Sequence, residues 1–300
     1  MARPLRNGKS ERKSTLIIIG GHEDKEGPVI HEVARYVANG KLVIATVAAE
    51  NPAKYIDVYR RAFSKLGLPE PEELAIASRE DALDPDRLKV LEGATGVFFT
   101  GGDQLRITSQ IGDTPVEHRI REIYEAGGMV AGTSAGAAAM CGSMIVRGLG
   151  NESRRPENVR MAPGLGLIRG VILDQHFAER GRMARLIGAV ALNPRELGIG
   201  IDEDTAIVVE VSKTFFVMGA GAAYVIDASG VTSSNIAEDL EPEAALSIHD
   251  VRLHMLAKGD AFDLREQRPK AASRSVMARL EKVARDEEKR EKGRGGDGAS

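Results

Sequence analysis

A single cysteine, Cys141, stands among 300 residues, so no intramolecular disulfide framework is available and a reducing, cytoplasmic setting is expected. Long apolar runs are missing as well. Residues 16–19 are far too few to span a bilayer, and the polar, basic stretch 1–14 has no apolar centre of the kind a secretory signal needs. No internal repeat is present, and the six histidines and one cysteine show no metal-ligand spacing, so neither a metal nor another cofactor is expected. Large net charge is absent too, but the total of −3 hides an asymmetry. Residues 1–13 hold five Lys/Arg against one Glu and residues 266–300 hold ten against seven, leaving a body of net −10. An acidic body argues against nucleic acid as the main ligand and favours a cationic substrate.

What is present is an ordinary globular composition, 42% hydrophobic and 28% charged, enough for one large domain or two small ones. Apolar runs at 15–19, 42–48, 74–77, 97–100 and 129–131 alternate with helical patterns at 29–38, 53–66, 85–91 and 115–126. That order predicts an α/β fold with a parallel sheet covered by helices on both faces. From 167 onward shorter strands dominate, at 170–173, 197–201, 206–211, 214–218 and 222–226, with one strong helix at 182–192 stopped by Pro194. Residues 151–163 are polar and aperiodic and read as a loop over the site. A basic N-terminus (1–13), a catalytic domain (14–265) and a charged, partly helical or disordered tail (266–300) are the expected divisions. Val276, Leu280 and Val283 offer the tail one narrow apolar stripe, which is read as part of a solvated segment.

Gly132-Thr133-Ser134-Ala135-Gly136 follows an apolar strand end and precedes a run of small residues, the sequence form of a nucleophile elbow. The glycines allow a tight turn and close backbone approach, and the Ala135 N–H would face a developing oxyanion. A serine nucleophile needs a base. Of the histidines, His22 sits in a loop after the first strand, whereas His176 ends the run Val171-Ile172-Leu173-Asp174-Gln175, at a strand's carboxyl end where open α/β sheets build their sites. The turn holding Asp202, Glu203 and Asp204 supplies an orienting carboxylate without saying which. Ser, His, acid is not the chain order of α/β-hydrolases. Gly101-Gly102-Asp103-Gln104 suits either a second oxyanion donor or a plain tight turn. Arg180, Arg182 and Arg185 suit either a carboxylate clamp or a solvated helix start. Cys141 is read as a packing thiol.

Together, Gly101-Gly102-Asp103-Gln104, Gly132 to Ala137, and Asp174-Gln175-His176-Phe177 with the three arginines resemble the cyanophycinases, in the serine peptidase family that includes dipeptidase E. Gly20-Gly21-His22-Glu23-Asp24-Lys25 and the turn at 200–205 share the likeness, which runs from about Leu16 to Leu264. The resemblance implies a three-layer, class I glutamine-amidotransferase-like fold with a strand-rich C-terminal part, a homodimer, and exopeptidase action on cyanophycin, releasing β-aspartyl-arginine. It implies Ser134 as nucleophile, His176 as base, Glu203 as third member, and Gly102 and Ala135 as oxyanion donors. Gln104, Asp174, Gln175, Arg180, Arg182 and Arg185 would bind substrate, with Asp174 pairing its guanidinium. Rival readings are a dipeptidase E-like enzyme for other aspartyl peptides and a noncatalytic binding protein on the same fold. No nucleic acid, membrane, metal or cofactor partner is expected.

Overall fold

Alternation in the first strand sets the layers. In β1 (Thr15–Ile19) Leu16 and Ile18 enter one apolar cluster while Ile17 and Ile19 enter another, so both faces of the strand are buried. The computed structural model describes residues 14–38, 40–147, 159–210, 213–236, 245–282 and 285. On one side of β1 the sheet continues in parallel through β5 (Met129–Thr133), β4 (Ala94–Phe99), β2 (Lys41–Ala45) and β3 (Glu72–Leu74), in that order outward. On its other side β1 meets the antiparallel run β10 (Thr205–Val209), β11 (Thr214–Gly219), β16 (Ala261–Asp263) and β17 (Arg268–Lys270), completing nine strands.

Helices α1 (Pro28–Val37) and α2 (Pro52–Lys65) cover one face of this sheet. The other face carries α4 (Gln104–Ile111), α5 (Pro115–Glu125) and α6 (Ala135–Ala138), together with a second sheet. That sheet runs β15 (Arg252–Leu256), β12 (Ala223–Asp227), β9 (Leu197–Ile201), β8 (Val171–Gln175). Period-two burial decides its faces too. Val171 and Leu173 join the core shared with the large sheet, whereas Ile172 points to α7 (Met183–Leu192) on the outside. Prolines open α1, α2, the short α3 (Pro85–Lys89) and α5, where a missing N–H costs nothing and φ is already helical.

Several expectations are revised. The strand expected over 42–48 ends at Ala45, because Ala49 N–H turns back to the Thr46 carbonyl; the strand expected over 74–77 lies earlier, at 72–74, in register with Val43–Ala45. The Gly101-Gly102 turn leads into α4, capped by Asp103 accepting from Leu105 N–H. Within the expected loop at 151–163, Arg160–Pro163 is a strand (β7) paired with β6 (Ser143–Arg147), while 151–158 lie outside the described residues. Part of the charged tail packs onto the body of the protein. β17 extends the large sheet beyond residue 265, and a helix at 274–282 buries Val276 and Leu280 in the α1 layer. Arg279 there bonds Glu32 and Glu210, and Val283 falls outside the described residues, as do 1–13 and 286–300.

Candidate active site

Three consecutive carbonyls at the end of β1 gather the site. Ile19 accepts from Ser134 N–H at 3.0 Å, Gly20 from His176 N–H at 2.8 Å, and Gly21 from Asp204 N–H at 2.9 Å. One short segment therefore holds the ends of β5 and β8 and the turn after β9 side by side. The nucleophile, base and acid candidates come from those three places.

Ser134 sits at φ 52° and ψ −112°, between the last residue of β5 and the first of α6, a strained conformation that projects its side chain from the turn. Its glycine neighbours are required by contact. A Cβ on Gly136 would lie 2.6 Å from the Phe99 carbonyl oxygen, and one on Gly132 would lie 2.6 Å from the Gly136 backbone. Ser134 Oγ lies 2.8 Å from His176 Nε2, and His176 Nδ1 lies 2.6 Å from Glu203 Oε1. With the proton on Nδ1, His176 donates to Glu203 and accepts from the serine hydroxyl, which is the relay a nucleophilic serine needs.

The structure also chooses among the three acids. Asp202 spends its carboxylate on the N–H groups of Ala178 and Ala222 and on the Tyr224 hydroxyl, and Asp204 accepts from Asp24 N–H. Glu203 reaches His176. Burial and the charges of Arg180 and Arg182 hold the His176 pKa below the ordinary histidine value, against the opposing pull of Glu203. Burial alone would raise the Glu203 pKa, but hydrogen bonds from His22 and His176 bring it below the usual carboxylate range. A neutral imidazole facing a carboxylate is the resting state at neutral pH.

Ala135 is the first residue of α6, so its N–H is one of the helix's unmatched donors beside Ser134. The Gly101-Gly102 turn passes next to it: a Cβ on Gly101 would lie 3.9 Å from Ser134 Oγ, and Gly102 has φ +143°.

The residues expected to bind substrate divide. Arg180 is exposed beside His176, and Gln175 is buried at the end of β8. Gln104 sends its Nε2 to the Ile145 carbonyl at 2.9 Å, tying α4 to β6. Asp174 is buried. Both its oxygens are occupied, by Arg185 in a two-point pair and by Arg182 Nη1 at 3.3 Å. Burial, with Arg185 and Arg180 close by, pushes the Arg182 pKa down to about 10 against the pull of Asp174, and Arg182 also donates to the Gln175 carbonyl. Asp174 and Arg185 are thus built into the wall behind His176, with Arg182 half-buried between them and the surface.

Residues 16–217 match peptidase family S51. The chain belongs to that family. This S51 member is a serine-type peptidase, a hydrolase. It is similar to the cyanophycinase of Geminocystis herdmanii, 38% identical over 268 residues that cover 88% of this chain and 98% of the relative. Similarity to the cyanophycinase of Trichormus variabilis is 41% identity over 265 residues, covering 84% of this chain and 86% of the relative. Among solved structures, a peptidase from an acI-B1 Actinobacterium shares the fold with TM-score 0.63 at 23% identity, covering 84% of this chain and 98% of that one.

Two supports of the candidate site lie in the segment after β1, to which the sequence assigned no role. Glu23 is buried and accepts from Thr133 Oγ1 at 2.6 Å, from the Tyr59 hydroxyl and from Lys25 Nζ at 2.7 Å. Burial pushes its pKa up, yet Lys25 and the two hydroxyls outweigh that and hold it below the ordinary value. The second is His22, whose Nδ1 lies 2.9 Å from the same Glu203 oxygen that His176 uses. An acid or histidine just past a strand end was the available signal for both. Cys141 is fully buried with its thiol pushed up to about 12 by burial, as a packing thiol should be. Among the described residues no helix is long and apolar enough to cross a membrane.

Proposed function

We propose that this S51 peptidase is a cyanophycinase, an exopeptidase that releases β-aspartyl-arginine from cyanophycin through an acyl-enzyme on Ser134. The observation that carries this reading is likeness to cyanophycinases along nearly their whole length, 38% over 268 residues in one case. Ser134 Oγ attacks the main-chain carbonyl carbon while His176 Nε2 takes the hydroxyl proton, and Glu203 stabilises the imidazolium through Nδ1–H. Donors at Ala135 and Gly102 meet the oxyanion, and His176 returns the proton to the departing amine. Water then attacks the acyl carbonyl with His176 again as base, freeing the dipeptide and Ser134. Distances of 2.8 Å and 2.6 Å along the relay support these roles.

In this reading the zwitterionic substrate meets Arg180 and the partly buried Arg182 through its carboxylates. Because Asp174 is already paired, its guanidinium falls to Glu179, an exposed acid whose Oε1 accepts from Glu203 N–H at 3.2 Å. A cytoplasmic homodimer belongs to the same proposal, and light scattering of the purified chain tests the dimer.

The test is incubation with insoluble cyanophycin, following soluble products by mass spectrometry beside Ser134→Ala. Release of β-aspartyl-arginine by the parent alone is expected. Cleavage of small aspartyl dipeptides with intact polymer left untouched would replace this reading with a dipeptidase E-like one.

A further inference from the structure

His22 stands outside the relay, yet it completes a different constellation. Its Nδ1 and that of His176 converge on Glu203 Oε1 at 2.9 Å and 2.6 Å, and one donor atom from each of the three residues lies within 4.8 Å of the others. The two imidazoles meet edge to face with centroids 4.9 Å apart. Two imidazole nitrogens and one carboxylate, with a fourth position open, match the donor set that zinc takes in sites with three protein ligands. Ligand bonds of about 2.0–2.1 Å place such donors a little over 3 Å apart, a separation that modest shifts reach from donors already within 4.8 Å of one another. His22 can make them, because its side chain is 69% exposed on a loop. Two nitrogen donors select against magnesium and calcium, which prefer oxygen.

We propose that His22, His176 and Glu203 form a reversible site for a zinc-class divalent cation, and that the bound ion switches off the serine. Binding needs only the geometry above; the inhibition rests on the catalytic reading of Ser134 and His176. Neutral imidazole carries one proton. A metal on Nδ1 of His176 confines that proton to Nε2, which then donates toward Ser134 Oγ and can no longer accept from it. The same ion draws Glu203 away from its orienting role. Arg180 and Arg182 lie close enough to oppose a dication, which keeps the ion exchangeable.

Calorimetric titration of the metal-stripped full chain with zinc chloride tests the site, using the parent, His22→Ala and Ser134→Ala, with cyanophycin cleavage measured against zinc in parallel. One zinc per chain is expected, bound equally by Ser134→Ala and at least ~10-fold more weakly by His22→Ala. Inhibition should follow the calorimetric curve, reverse with EDTA, move to higher zinc by the same factor in His22→Ala, and not occur with magnesium. Absence of binding up to about 1 mM zinc, or equal binding by His22→Ala, overturns the site. Binding that depends on His22 without loss of cleavage overturns the switch and counts against His176 as base. A chain that binds zinc but leaves cyanophycin intact keeps the site and removes the substrate assignment instead.

Discussion

Arg185 closes on Asp174 with Nε 2.7 Å from Oδ2 and Nη2 on Oδ1, inside the protein and directly behind the strand end that carries His176. A carboxylate held this way is part of the scaffold. Removing its charge takes the counter-charge from the buried Arg185 and the half-buried Arg182, so Asp174→Asn should lower stability by about 3–5 kcal/mol in urea unfolding. Arg180→Ala, exposed, should stay within about 0.5 kcal/mol of the parent while KM for substrate rises. Equal stability of Asp174→Asn and the parent would return Asp174 to the list of residues free for substrate.

Gly21 has φ +107°, and a Cβ there would lie 2.3 Å from His176 Cε1. Gly21→Ala must therefore push the imidazole off the line between Ser134 and Glu203. A loss of about 100-fold or more in kcat is expected, since ångström-scale misplacement has that effect on a positioned base. Near-parent kcat in a folded variant would show that the relay tolerates displacement the geometry forbids.

Acid inactivation should reflect His176. Its pKa is lowered by burial and by Arg180 and Arg182, and in the proposed mechanism the base works only when unprotonated, so activity should persist to lower pH than an ordinary histidine with value 6.5 would allow. The acid limb of kcat/KM is expected below that value. Arg180→Ala removes one of the depressing charges, so its limb should move to higher pH even as its rate falls. Movement in the opposite direction would contradict the assigned cause.

Leu280 is buried against the α1 layer from a helix within the charged C-terminal stretch. Leu280→Ala should cost about 2–3 kcal/mol by thermal or urea unfolding with cleavage unaffected, because the helix lies away from the relay. An unchanged unfolding midpoint would mean that this helix leaves the body of the protein in solution.

Much of the candidate site was legible along the chain, for reasons that can be named residue by residue. Ser134 announced itself because a tight strand-to-helix turn demands glycine on both sides. His176 did so because it ends an apolar run. Gln104 and Asp174 could not be read locally, since a polar side chain in a motif looks the same whether it meets substrate or backbone; the partners they take in the fold, Ile145 and Arg185, are distant or belong to another element. The apolar stripe of Val276 and Leu280 was visible, but nothing local could say that α1 would cover it.

The sequence by itself determined the alternation of strands and helices, the glycine-flanked turn at Ser134 and the place of His176 at a strand end, because burial period, proline placement and glycine spacing act within a few residues. Only the tertiary structure decided which of Asp202, Glu203 and Asp204 reaches His176, and that His22 shares its oxygen. Those choices follow from where three carbonyls at 19–21 anchor segments more than a hundred residues away, and from competing hydrogen bonds that tie Asp202 and Asp204 elsewhere. Neither is a property of any short stretch of chain.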